Sequence, residues 1–123
     1  DAAVSDDLGE SWRFLSTIGD THTRTRGKNG NPPALVRTHG GALCAFYGFR
    51  APVYGMRARV STDDGASWSN EIVLRDDART WDFGYPRAVV RPDGKVVVVY
   101  YYTTSELKEQ HIAATIWDPS EAV

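Results

Sequence analysis

The chain has 123 residues, 41% of them hydrophobic and 24% charged, a composition that suits a globular domain and excludes wholesale disorder. Fourteen Lys and Arg against sixteen Asp and Glu give a formal net charge of -2, which argues against nucleic acid as a partner. No apolar run approaches the roughly 20 residues that span a membrane, and the single Cys44 excludes an internal disulfide or a multi-cysteine zinc site.

The opening DAAVSDDLGESW carries no basic segment followed by an apolar one, so a secretion signal is either absent or already removed. No metal or other cofactor is expected, and the cellular compartment is left open. Along the chain, the pattern predicts strands and no helices. A short stub at 2–4 precedes a strand at 12–18, and four further strands follow at 32–37, 42–49, 55–60 and 70–75. Three more are predicted at 86–91, 95–102 and 110–117. Met56-Arg57-Ala58-Arg59-Val60 alternates apolar and polar residues. Val96 to Tyr102 is β-branched and aromatic without helical spacing and is expected to be a buried strand. Cys44 falls mid-strand among apolar residues and reads as an inert small hydrophobe.

Two internal repeats organise these strands. Ser5-Asp6-Asp7-Leu8-Gly9-Glu10-Ser11-Trp12 and Ser61-Thr62-Asp63-Asp64-Gly65-Ala66-Ser67-Trp68 share S-x-D-x-G-x-S-W, and Ser61 lies 56 residues after Ser5. Gly30-Asn31-Pro32-Pro33-Ala34-Leu35-Val36-Arg37 matches Gly84-Tyr85-Pro86-Arg87-Ala88-Val89-Val90-Arg91 at a spacing of 54, from Gly30 to Gly84. Each member of the second pair leads through a Gly turn into a strong β run. A four-strand antiparallel unit recurring every 50-odd residues predicts an all-β fold built of β-propeller blades, two per chain. Residues 1–123 are then one propeller segment. They comprise the last strand of one blade (12–18), a full blade (31–75) and three strands of the next (85–117).

The S-x-D-x-G-x-S-W pattern resembles the Asp-box, or bacterial neuraminidase repeat, of sialidases and related six-bladed propellers. The stretches 48–68 and 82–102 resemble later blades of bacterial sialidase-like proteins, and the likeness extends over the whole chain. It implies that Ser5, Asp7, Gly9 and Trp12, with Ser61, Asp63, Gly65 and Trp68, form hairpin turns on the outer rim. Asp7 and Asp63 are then structural rather than catalytic. Their oxygens and those of the Ser hydroxyls accept from loop N–H groups, Gly takes a positive φ, and each Trp anchors its turn in the core.

Propeller geometry also sorts the loops. The turns at 38–41 and 91–94 share one end with the Asp-boxes. Segments 19–31, 49–54, 75–85 and 103–109 open at the other end and carry the chemically loaded residues, where a rigid scaffold places binding groups. His22, Arg24, Arg26 and Lys28 read as a solvated loop. Arginine forks suit carboxylates, and Arg50, Arg57 and Arg87, with Trp81, are the candidate ligand-binding residues. Sialidases grip a sugar-acid carboxylate with three arginines and use a tyrosine nucleophile with an aspartic acid. The resemblance therefore implies Tyr54 or Tyr85 as the phenol and Asp82 as the acid. Phe49-Arg50-Ala51-Pro52 is similar to the sialidase Phe-Arg-Ile-Pro motif, displaced to mid-chain.

Three functions follow as expectations: a propeller that binds an acidic sugar, with sialidase-like hydrolysis left open; a non-catalytic interaction scaffold; or an inactive piece of a longer glycosidase. Phase arithmetic adds a partner. Val4, Val60 and Ile116 are each 56 residues apart, and the strands sum to two blades split across three. A six-bladed ring is therefore expected from three identical chains exchanging a strand, so that every edge and apolar face is covered.

Overall fold

The computed structural model describes residues 1–20 and 30–122. Among these, nine strands form three antiparallel sheets, and a short 3-10 helix spans Pro119–Ala122. The first sheet pairs β1 (Ala2–Val4) with β2 (Arg13–Ser16). The second has four strands in sequence order: β3 (Ala34–Arg37), β4 (Leu43–Phe49), β5 (Gly55–Ser61) and β6 (Ile72–Val73). The third has β7 (Gly84–Val90), β8 (Val96–Tyr102) and β9 (His111–Trp117). Each predicted strand is present within a few residues of its expected bounds. The three sheets form no closed ring among the described residues. None of the described helices is long and apolar enough to cross a membrane.

Alternation along the strands decides which faces meet. Cys44 and Phe46 on β4 and Met56, Ala58 and Val60 on β5 point to one side of the second sheet. They pack against Phe83, Val96, Val98, Tyr100 and Tyr102 of the third, and burying each large side chain contributes about 1.5–3 kcal/mol. Phe46 and Trp117 meet edge to face across this interface, with centroids 5.8 Å apart. Cys44 is fully buried there, and desolvation pushes its thiol up to about 11. The expectation that 96–102 is a buried inner strand with its last Tyr residues emerging at the pocket end is corrected in part: alternate residues face the core, Tyr100 and Tyr102 among them, while Val99 is exposed on the opposite face.

The strand expected at 70–75 pairs only at Ile72–Val73. The N–H groups of Leu74 and Arg75 both turn to the Met56 carbonyl, which ends the regular ladder. Here the backbones pass so closely that a Cβ on Gly55 would sit 1.9 Å from the Arg75 carbonyl oxygen, leaving room only for glycine.

The Ser, Asp and Gly residues of the two S-x-D-x-G-x-S-W turns make the same hydrogen bonds. In the first, Ser11 N–H donates to Asp7 Oδ1 at 2.9 Å, Ser5 Oγ donates to the same oxygen at 2.7 Å, and Gly9 N–H donates to Ser5 Oγ at 2.8 Å. In the second, Ser67, Ser61, Asp63 and Gly65 repeat these bonds at 2.9, 2.7 and 2.8 Å. Leu8 and Gly9 take φ of 60° and 91°, and Asp64 and Gly65 take 56° and 88°. The tryptophans differ from expectation. Trp68 is half-buried, but Trp12 is 65% exposed and its indole N–H merely closes the turn onto the Gly9 carbonyl. The reason is local: the first turn joins a two-stranded sheet with no broader sheet beneath it.

Candidate functional site

Two of the segments expected to share one end of the strands, 49–54 and 75–85, meet beside the end of β8. Arg50, just past β4, is only 8% exposed and sends Nε and Nη2 to the Phe83 carbonyl at 3.2 and 2.9 Å. Its guanidinium carbon lies 5.6 Å from the Trp81 ring and 5.7 Å from the Tyr85 ring, within cation–π range of both. Nη2 also donates to Tyr101 Oη at 3.2 Å, and Tyr101 donates onward to Asp82 Oδ1 at 2.6 Å. The other Asp82 oxygen accepts from Gln110 Nε2 at 2.7 Å. A buried cation, two partly exposed aromatic rings, a carboxylate and a carboxamide thus share one cluster between the second and third sheets.

The electrostatics favour binding roles over proton transfer. The hydrogen bond from Tyr101 is the main cause holding the Asp82 carboxyl below its usual range, and Gln110 and Arg50 add to it. Asp82 is therefore an ionised acceptor at neutral pH rather than a ready acid. Burial is the main cause pushing the Tyr101 phenol up to about 12, with the Asp82 hydrogen bond adding to it, so Tyr101 stays a neutral donor.

Tyr85 is set by an unusual backbone. It has φ of 53°, a left-handed conformation rare for a bulky residue, and it follows Gly84 at φ of 120°. Asn31, 8% exposed, spans this turn: its Nδ2 donates to the Phe83 carbonyl at 3.2 Å, and its Oδ1 accepts from Tyr85 N–H at 3.4 Å. A Cβ on Gly84 would lie 2.4 Å from the Asn31 amide nitrogen. Strained residues held by an over-determined surrounding cluster at functional sites.

No family model and no curated protein matches this chain. It is similar to a protein of unknown function from Dyadobacter fermentans DSM 18053, known from its crystal structure. The two are 33% identical with a TM-score of 0.70, over 94% of this chain and 30% of that one. The chain thus spans less than a third of that protein's length.

The other sequence candidates fall elsewhere. Arg57 is buried and fully engaged: Nε pairs with Glu71 at 3.2 Å, Nη1 donates to the Arg75 carbonyl at 2.7 Å, and Nη2 to that of Val53 at 2.8 Å. Its expected role as an anion clamp is corrected, because the curled backbone around β6 uses its donors as a structural clasp. Arg87 is exposed on the outer face of β7, and its Nη1 reaches only the Pro86 carbonyl. Tyr54 packs against the hydrophobic core rather than joining the Arg50 cluster. His22, Arg24, Arg26 and Lys28 lie outside the described residues.

At the opposite end, a groove of about 630 Å³ runs between the turns, lined in part by His39, Asp64, Asp93 and Asp118. Those carboxylates already pair with Arg37, Arg91 and Ser120 respectively. Among the described residues, no group of three or more His, Cys, Asp or Glu is arranged to hold a metal ion. Sequence reasoning missed Asn31 and Gln110, and placed the last Tyr residues of the 96–102 run at this end without naming Tyr101. Tyr101 was legible as the odd-numbered Tyr of an alternating strand; Asn31 and Gln110 gave no comparable signal.

Proposed function

We propose that this chain is a two-blade portion of a sialidase-like, Asp-box β-propeller and that the Arg50 cluster lines a pocket for an acidic sugar or another carboxylate-bearing ligand. The observation that carries the reading is the approach of Arg50 to both the Trp81 and Tyr85 rings and its link through Tyr101 to the Asp82 carboxylate. Arg50 Nη1 makes no hydrogen bond among the described residues and is the donor left for an anion. The partly exposed Tyr85 offers a flat apolar face for a sugar ring, and Asp82 and Gln110 offer polar contacts for its hydroxyls. The reading is one of recognition: hydrogen bonds hold Asp82 as an acceptor, and of the candidate residues Tyr85 joins the cluster while Arg57 and Tyr54 do not. The recurring turns, the stacked sheets and the likeness to a chain about three times as long support the propeller.

Titration calorimetry with a sialoside, its methyl ester and a matched neutral sugar tests the reading. Binding of the free acid alone, lost in Arg50→Met, supports it. Equal silence toward all three by folded protein overturns it and favours a scaffold in which Arg50 only fastens the Phe83 loop.

A further inference from the structure

One buried side chain holds the backbone on which Arg50 rests. The Phe83 carbonyl receives three donors, Arg50 Nε and Nη2 and Asn31 Nδ2, at 3.2, 2.9 and 3.2 Å. Asn31 Oδ1 accepts from Tyr85 N–H at 3.4 Å, so a single carboxamide grips the peptide groups on both sides of Gly84. Those two peptide groups carry the seat of the guanidinium and one of the rings it approaches.

The strand ladder does not fix this backbone. The pairing of β7 with β8 slips between Gly84 and Arg87, leaving Tyr85 and Pro86 outside its paired positions. The Phe83 ring is held in the core, edge to face with Tyr102 at 5.5 Å, so what is left to turn is its carbonyl. A peptide followed by glycine rotates at little steric cost, and Gly84 already stands at φ of 120°. Rotation of the Phe83–Gly84 peptide would carry the oxygen away from Arg50 and release both Nε and Nη2. These two nitrogens form the side of the guanidinium that clasps an oxyanion in a parallel pair of bonds. The carbonyl occupies that side.

We infer that Asn31 is a positioning residue of this site: it latches the Phe83–Gly84 peptide, so that the carbonyl fixes the Arg50 fork and Nη1 is the donor presented to an anion. The anion rests on the pocket reading above; the latch rests on the bonding alone. Asn31 is 8% exposed and both ends of its carboxamide are engaged, so it acts through Arg50 and Tyr85 rather than by touching a ligand.

Hydrogen exchange of the arginine Nε–H protons, read in proton–nitrogen correlation spectra of the full chain, tests the latch without any ligand. In Asn31→Ala and Asn31→Leu the Arg50 proton should exchange about tenfold faster than in the unmodified chain. The Arg57 Nε–H is the control: it is buried against Glu71, shares no bond with Asn31 or Phe83, and should not change. The preference for a sialoside over its methyl ester should fall about tenfold in the same variants, a ratio that partial unfolding leaves alone. No acceleration at Arg50 overturns the inference, and so does equal acceleration at Arg50 and Arg57, which would make Asn31 merely structural. Should neither variant fold, the unmodified chain decides. Couplings across the hydrogen bonds from Asn31 Nδ2 and Arg50 Nε to the Phe83 carbonyl carbon support the latch, and their absence overturns it. Silence of the unmodified chain toward every sugar overturns the pocket reading alone, because the exchange result does not depend on a ligand.

Discussion

The Trp68 indole N–H donates to Ser16 Oγ at 3.0 Å, and Ser16 Oγ in turn donates to the Gly65 carbonyl. One serine on β2 thereby fastens the first sheet to the turn of the second. The two turns share their sequence pattern and their Ser, Asp and Gly bonds, yet only the second leans on a neighbour through its Trp. This contact explains why Trp68 is half-buried and Trp12 is not.

The turn carboxylates make stability depend on pH in a defined direction. Hydrogen bonds from the Ser11 and Ser67 hydroxyls are the main cause lowering Asp7 and Asp63 to about 2, against 3.8 for a free carboxyl. A lowered native value means the contribution is present above the unfolded value and is lost as pH falls from about 4 through 2. Thermal melts between pH 6 and 2 should therefore show Tm dropping over that range, and Asp63→Asn should flatten the drop. A Tm insensitive to Asp63→Asn at every pH would remove this role.

Arg57→Ala should destabilise the fold by about 3 kcal/mol, because it leaves the Arg75 and Val53 carbonyls and Glu71 without their buried donor. Ligand affinity of the folded fraction should not change. A measurable loss of affinity in folded Arg57→Ala would return this residue to the binding site.

Tyr85→Gly separates strain from recognition. Glycine relieves the left-handed conformation, worth about 1 kcal/mol, and this offsets the lost ring contacts with Tyr101 and Arg50. Chemical denaturation should accordingly show little net change, while affinity for the acidic sugar falls at least tenfold. Unchanged affinity would exclude Tyr85 from the pocket.

Gly84→Ala should cost on the order of 2 kcal/mol, since the added methyl meets Asn31 and the φ of 120° suits glycine alone. The matched control is Gly94→Ala, at φ of 86° with nothing within 4 Å of its Cβ, where only the conformational part applies. Equilibrium unfolding of both variants should place Gly84→Ala clearly lower.

Strand order and both turns were readable because they rest on local chemistry: alternation from Met56 to Val60, a β-branched run at Val96, and Ser, Asp and Gly at fixed spacing. The convergence of Arg50 with Trp81, Asp82 and Tyr85 followed from sorting loops by the end of the strand they leave. What the sequence hid were choices made by tertiary packing. Arg57 and Arg50 look alike on a line of letters, and only the curl after β6 turns Arg57 inward onto carbonyls. Asn31 looked like a loop residue before proline, because its partners lie 52 and 54 residues away.

Asn31 also has a bearing on how this architecture can diversify. Its amide nitrogen lies 2.7 Å from where a Cβ on Gly48 would stand and 2.4 Å from one on Gly84, so a single side chain is wedged between two bare backbones on adjacent sheets. The three positions must change together. A relative with a smaller residue at 31 is free to carry side chains at 48 and 84, and one that keeps asparagine is bound to both glycines. The close approach of the two sheets at Asn31 is then inherited as a coupled trait of three sites, so directed evolution of this contact should start from libraries that vary all three at once.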